Sequence, residues 1–314
     1  MSRLTVSIVI PVYNESAIIR QCLSTAVNQV LKPLEIVVVN NMSTDNTQQL
    51  VEDFAREYKE SGGTVDIKLV QENNRQGMIP ARNTGFEAAV GDILGRIDAD
   101  TLIDPRWTQA VVNAYASNPK VMGATGPVTY YDMPMRRFSL HRDNKIRKAV
   151  QMLSRKKDVI LFGSNMSIRA KAWHAIGREF CLDLEDKLHE DVDITVHFKK
   201  HGYKIVYAEK MIAGISARRI ENRLREFKKY QDKLTYTYFS HNEKSKSANV
   251  AKAVFLSIYF PLHALRPLYL NYYKKIQAEC EADLWNPDGR MSSLRHRAHT
   301  KLSLKIKERK NNGV

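Results

Sequence analysis

Four short apolar runs, each ending in polar residues, constrain most of what the first hundred residues can fold into. They are VSIVIPVY (6–13), LEIVVVNN (34–41), VDIKLVQE (65–72) and DILGRID (92–98). Their length and β-branched content read as strands. Residues 15–30, 47–60 and 79–89 between them read as helices; the first carries Ile18, Ile19, Cys22, Leu23, Ala26, Val27 and Val30 at helical spacing. Continuous apolar strands alternating with amphipathic helices predict an α/β fold, with a mostly parallel sheet covered on both faces. Such sheets bind ligands beyond the carboxyl ends of their strands. Tyr13-Asn14-Glu15, Asn40-Asn41 and Asp98-Ala99-Asp100 all stand at those ends.

Farther on the pattern loosens. Residues 106–116 read as a helix, 121–130 as a strand, 133–157 as a basic insertion and 159–169 as a strand pair or hairpin. A helix over 190–201 and a strand over 203–209 follow. At Ser216 the composition changes, which divides the chain into a domain over 1–215 and a basic helical extension over 216–314. The extension starts with a helix over 218–239, striped by Ile220, Leu224, Phe227, Leu234 and Tyr238 among Arg and Lys. An aromatic stretch over 250–273 and a basic tail follow. Pro261 and Pro267 predict a break into a bent helical pair. The longest uncharged apolar-rich run, Ala253 to Leu265, is shorter than the ~20 residues of a membrane span. The stretch is left with three fates: peripheral contact with an anionic membrane, packing on the domain, or a subunit seam. The oligomeric state stays open.

Charge narrows the partners. Lys and Arg number 49 against 34 acids, a net charge of +15, which favours polyanions such as nucleotide phosphates, nucleic acid or an anionic membrane surface. The basic residues scatter over 136–157, 218–233 and 295–310 without a helix-turn-helix, zinc-finger or RNA-binding aromatic signature, so no nucleic acid is expected. Three distant cysteines (Cys22, Cys181, Cys280) form no disulfide or metal pattern, and a reducing compartment follows. The N-terminus lacks the apolar length and cleavage site of a signal peptide. The expected location is cytoplasmic, or peripheral on the cytoplasmic face of a membrane.

Asp98 and Asp100 stand one residue apart at the end of the fourth run, so on a strand they would share a face. Like charges so close need a cation. A two-carboxylate, oxygen-only site suits Mg2+ or Mn2+ shared with phosphate oxygens. The alternative is a solvated turn after a strand, where Asp is common.

Six stretches together carry a resemblance: VSIVIPVYNE, VVVNNMSTDNT, QGMIPARNTG, GRIDADT, LFGSNMSIRAKAW and LHEDVDITVHFKKHGYKIVY. In order and spacing, over about residues 4–215, the chain resembles the family 2 inverting glycosyltransferases of GT-A fold. The resemblance implies a nucleoside-diphosphate-sugar donor, Mg2+ or Mn2+ as cofactor, and transfer to a sugar or lipid-linked acceptor, as in cell-surface glycan or glycolipid synthesis. It assigns Pro11, Tyr13 and Glu15 to the nucleotide loop. Asp100 would bind the metal, and Asp98 the ribose or the metal. Gly163 and Asn165 match a loop near the donor sugar. Of Glu190 and Asp191, Asp191 is expected as the base that takes the acceptor proton, with Glu190 its neighbour.

Other positions stay divided. Asn40 and Asn41 stand where the family usually carries Asp; nucleotide contact is expected at Asn41, and the base is left open. Arg82 would pair with phosphate or with the carboxylate cluster. Arg218 and Arg219 would clamp the diphosphate or begin the basic face of the next helix. Ser43, Asp45 and Thr47 read as local turn and capping groups, and Asp193 as facing elsewhere or capping. The Gln-x-x-Arg-Trp motif of processive synthases is absent, since no tryptophan lies between Trp173 and Trp285; one sugar added, without polymerisation, is the expectation. The rival readings are a non-catalytic sugar-nucleotide-binding relative and a basic protein binding nucleic acid or a membrane surface.

Overall fold

The computed structural model describes residues 3–116, 118–133, 159–180, 183, 187–243 and 246–280. The basic insertion expected over 133–157 lies, except for Met133, outside the described residues. So does the tail from 281.

Strand β1 (Val6–Val12) is buried along its whole length. Side chains alternate across a strand. Val6, Ile8, Ile10 and Val12 therefore enter one core with α1 (Ile19–Val27), α2 (Thr47–Glu60) and α4 (Trp107–Ala116). Val9 enters the other, with α3 (Met78–Ala88), α5 (Ala170–Ile176) and α6 (Glu190–Lys200). Both faces of the sheet are covered, as the continuous apolar run predicts.

β1 pairs in parallel with β2 (Glu35–Asn40) on one side and β4 (Ile93–Arg96) on the other, and β3 (Asp66–Gln71) extends the β2 side. With β6 (Val121–Thr125), β8 (Met166–Arg169) and β9 (Lys204–Tyr207) the order is β3-β2-β1-β4-β8-β6-β9, and β8 alone runs antiparallel to both neighbours. The chain winds from β1 out to β3, then crosses back to β4. That reversal opens a crevice beyond Val12, Asn40 and Arg96, where α/β sheets hold ligands. A smaller sheet of β5 (Leu102–Ile103), β10 (Ala213–Ile215) and β7 (Val128–Tyr130) lies beside it.

Some sequence expectations are corrected. The strand expected over 121–130 is two strands in different sheets, split at Gly126-Pro127, where proline supplies no ladder N–H. The hairpin expected over 159–169 is a 3-10 turn (Gly163–Asn165) followed by β8. The helix expected from 218 starts as a 3-10 turn (Arg218–Glu221), and α7 proper is Leu224–Ser240.

The expected break at the prolines does not occur: α8 (Lys246–Cys280) is one helix containing Pro261 and Pro267. Tertiary contacts hold the turns around both prolines. The Tyr259 hydroxyl donates to the Asn222 carbonyl at 2.6 Å, and His263 Nδ1 lies 2.7 Å from the Ile220 carbonyl. Buried Arg266 reaches the Asp132 carbonyl at 2.6 Å, its carboxylate at 2.7 Å and Glu221 at 2.8 Å. Among the described residues, no helix is long and apolar enough to cross a membrane.

Candidate active site

The cation that Asp98 requires comes from the strand that carries it. Arg96, two residues earlier, is buried, with Nη2 2.6 Å from Asp98 Oδ1 and Nη1 3.2 Å from Glu190 Oε1. One guanidinium thus joins the loop after β4 to the first turn of α6. Gly163 permits the approach: a Cβ there would stand 1.9 Å from Arg96 Nη1 and 2.9 Å from Glu190 Oε1. Arg96 carries no motif signal; its position on the face of Asp98 was the one available clue.

The acidic pair opens α6. Burial would raise Glu190, but the charges of Arg96, His189 and Arg82 together offset it and hold the carboxyl below its usual range. Burial, then the charge of Glu190, push Asp191 the other way. Asp191 Oδ2 accepts from the Gly163 N–H at 2.7 Å and Oδ1 from the Val192 N–H at 2.8 Å. Asp191 therefore also fixes the 163–165 turn. Asp193 faces away, as expected, with His241 Nε2 2.7 Å from its carboxylate.

A second arginine closes the opposite side. Arg218 grips Glu15 with both arms of its guanidinium, and its Nη2 lies 3.0 Å from Asp100 Oδ2. Burial, then the charge of Asp98, raise Asp100 to about 6 despite Arg218. Glu15 at the end of β1, Asp100 in the loop after β4 and the 3-10 turn after β10 thus meet at Arg218. That turn is held from behind by Asp132, which accepts from Ser216 Oγ at 2.7 Å and the Ala217 N–H at 2.8 Å. Asp132 in turn holds Arg266 of α8, so the extension is tied directly to the site. The sequence reading missed both Asp132 and Arg266.

The remaining residues sort by what they touch. Tyr13 is 46% exposed at the mouth of β1, whereas Pro11 is buried within the strand. Arg82 is fully buried; it donates to the Glu190 carbonyl at 3.3 Å and to Asn83 Oδ1, behind the acidic pair. Arg219 lies over the Tyr230 ring, 3.7 Å from its centroid, close enough to the acids for its charge to act on Asp100. Asn165 turns inward, accepting from Trp107 Nε1 at 2.8 Å and donating to the Pro127 and Met211 carbonyls. Asn41 donates to the Glu72 and Arg75 carbonyls at 3.2 and 2.8 Å and accepts from the Gly77 N–H at 2.6 Å, bracing the loop before α3.

The donor set suits a hard divalent cation. Asp98 and Asp100 offer only oxygens, and Asp98 Oδ1 is buried without a hydrogen-bond partner despite the nearby Arg96 charge. Two carboxylates completed by phosphate oxygens are an ordinary Mg2+ or Mn2+ arrangement.

The chain is similar to known glycosyltransferases in sequence and in fold. Glycosyltransferase AglE of Haloferax volcanii is 31% identical over 128 residues, 40% of each chain. The poly-β-1,6-N-acetyl-D-glucosamine synthase of Staphylococcus epidermidis is 29% identical over 121 residues, 38% of this chain and 28% of that one. The chain therefore spans less than half the length of these relatives. In fold it is similar to the mannosyltransferase PcManGT of Pyrobaculum calidifontis in complex with GDP-Man and Mn2+ (TM-score 0.59, 21% identity, 98% of this chain and 81% of that one). It is also similar to glucosyl-3-phosphoglycerate synthase of Mycobacterium tuberculosis in complex with Mn2+, UDP-glucose and phosphoglyceric acid (TM-score 0.51, 16% identity, 77% and 81%). The family described as glycosyl transferase family 2 matches residues 7–177, more than half of the sequence, and with the GT-A arrangement of its sheet the chain belongs to that family.

Proposed function

We propose that this chain transfers one sugar from a nucleoside-diphosphate sugar to an acceptor hydroxyl with inversion at the anomeric carbon. The observation that carries the reading is Arg96, which holds Asp98 and Glu190 within reach of one guanidinium. A carboxylate for the donor end and one for the acceptor end then share a single crevice.

Tyr13 offers an exposed ring to the base, and Arg218 is positioned to exchange its carboxylate partners for the diphosphate, a bidentate target suited to arginine. Asp100 and Asp98 would hold Mg2+ or Mn2+, whose chemistry is Lewis-acid neutralisation of the departing diphosphate. Asp191, raised by burial and by Glu190, suits a base that accepts a proton from the incoming hydroxyl. Glu190, held ionised by Arg96, orients the acceptor. Arg82 braces the pair from behind through the Glu190 carbonyl. The acceptor is a sugar hydroxyl, free or on a lipid carrier.

A thermal-shift panel of UDP-, GDP-, CMP- and dTDP-sugars, with and without Mn2+, tests the donor half through mass-action stabilisation. One donor should stabilise the protein, and more with Mn2+. No stabilisation by any of them would count against the reading. Proton NMR of the product then reports its anomeric configuration, and retention would remove the single-displacement step.

A further inference from the structure

We propose that the outward face of α8 docks the protein on an anionic bilayer, seated in the interface and not across it. Ala253, Ser257, Phe260, Ala264 and Leu268 are all exposed and recur at three- and four-residue spacing, so they form one stripe along the helix, with exposed Leu265 at its margin. Phe260 is 62% exposed, Leu265 59% and Leu268 70%. Between Ala253 and Leu270 the only charged side chain is Arg266. It points the opposite way, buried on Asp132 and Glu221 beside Tyr259 and His263. A surface helix normally keeps its charged residues outward and its apolar ones inward. Here the outward stripe is uncharged and the one charge is the inward latch.

The margins of the stripe identify its occupant. Phe227 of α7 packs on Tyr259 of α8, with ring centroids 4.8 Å apart. Around it, Arg223 just before α7 and Arg225, Lys228 and Lys229 on it are exposed, against one exposed acid on the helix, Glu226. Within α8 the sequence carries Lys274-Lys275, and in the chain beyond the described residues, between Arg290 and Lys310, there are eight Lys or Arg against one acid, Glu308. Apolar side chains flanked by cations match acyl carbons beneath lipid phosphates. A second copy would bring the same cations against each other. This surface is separate from the crevice and does not depend on the sugar-transfer reading. Through Arg266, Asp132 and the Ser216-Ala217 turn it is joined to the Arg218 side of that crevice.

The test is co-sedimentation of the full chain with phosphatidylcholine vesicles, with and without phosphatidylglycerol. It is repeated for Phe260→Asp/Leu268→Asp and for the uncharged Phe260→Gln/Leu268→Gln, each checked for an unchanged melting temperature. Wild type should partition onto phosphatidylglycerol vesicles, more weakly as salt rises, and both variants should bind about tenfold less or weaker. The proposal is overturned if wild type ignores both vesicles or if both folded variants bind like wild type. It is equally overturned if wild type is a dimer in solution that the variants turn into a monomer, because a second copy then covers the face.

Discussion

Arg218 Nη2 lies 3.0 Å from Asp100 Oδ2, on the carboxylate that the family resemblance assigns to a metal. The same guanidinium holds Glu15, so a protein cation balances two acids that would otherwise repel. On the proposed reading a divalent ion would compete with Arg218 for Asp100, and the donor phosphates would attract Arg218. Arg218→Ala should raise Mn2+ affinity in the absence of donor by about fivefold, equivalent to about 1 kcal/mol of lost competition. It should weaken nucleoside-diphosphate binding by at least as much. Mn2+ titration followed by electron paramagnetic resonance, and calorimetry with the diphosphate, read the two effects separately. Weakening of both would mean that Arg218 organises the site without occupying it.

Arg96 makes a different demand. It is buried against two carboxylates, and removing one partner of such a cluster leaves charge without compensation, at a cost of about 3–5 kcal/mol. Arg96→Met should lower stability by about that much in urea unfolding and abolish transfer. Arg96→Lys keeps the charge but lacks the fork that spans Asp98 and Glu190. It should recover part of the stability and little of the activity.

Glu35, at the start of β2, ties three strands together at the end of the sheet away from the crevice. Its buried carboxylate accepts from Ser7 Oγ of β1 at 2.6 Å and from the Val90 N–H before β4 at 2.7 Å, and it meets Lys68 Nζ of β3 at 2.6 Å. Burial alone would raise it; Lys68, Ser7 and Val90 outweigh that and hold it below its usual 4.5. A depressed carboxylate contributes stability that is complete above pH 4.5 and is lost as pH falls through the folded value. Glu35→Gln should destabilise the protein at pH 7 by about 1–3 kcal/mol, and the gap should narrow toward pH 3. Chemical denaturation at a series of pH values checks both the loss and its slope.

The strands up to β4 and the crevice they open were legible because burial on both faces demands unbroken apolar runs and the polar residues sit at their ends. Arg96 was hidden by its setting, an arginine inside an apolar strand. Its pairing with Glu190 depends on two elements nearly a hundred residues apart. Pro261 and Pro267 misled for the opposite reason: local rules predict a break, while Tyr259, His263 and Arg266 hold the helix through contacts that no local rule contains. The split at Gly126-Pro127 was available in the sequence, because a proline cannot continue a ladder, and only the second sheet made it necessary.

Asn41 reverses its sequence reading most clearly. As a sequence feature it is an acid replaced by an amide. In the structure the amide is what the position needs, because its nitrogen donates to the carbonyls of Glu72 and Arg75 while its oxygen accepts from Gly77. Gly77 stands at φ +140°, a conformation few other residues adopt, so the loop it ends depends on an outside brace. A carboxylate has no proton to donate at neutral pH. Asn41→Asp would turn two donated hydrogen bonds into a charge facing two carbonyl oxygens. The expected result is a loss of about 2–3 kcal/mol at pH 7, and partial recovery below pH 4 as the carboxyl regains a proton. Donor affinity should fall with the loop. If Asn41→Asp instead binds a uridine donor more tightly with unchanged stability, the position serves the base directly and the bracing role is wrong. Thermal unfolding at two pH values, run beside a donor titration of the same variant, separates the outcomes.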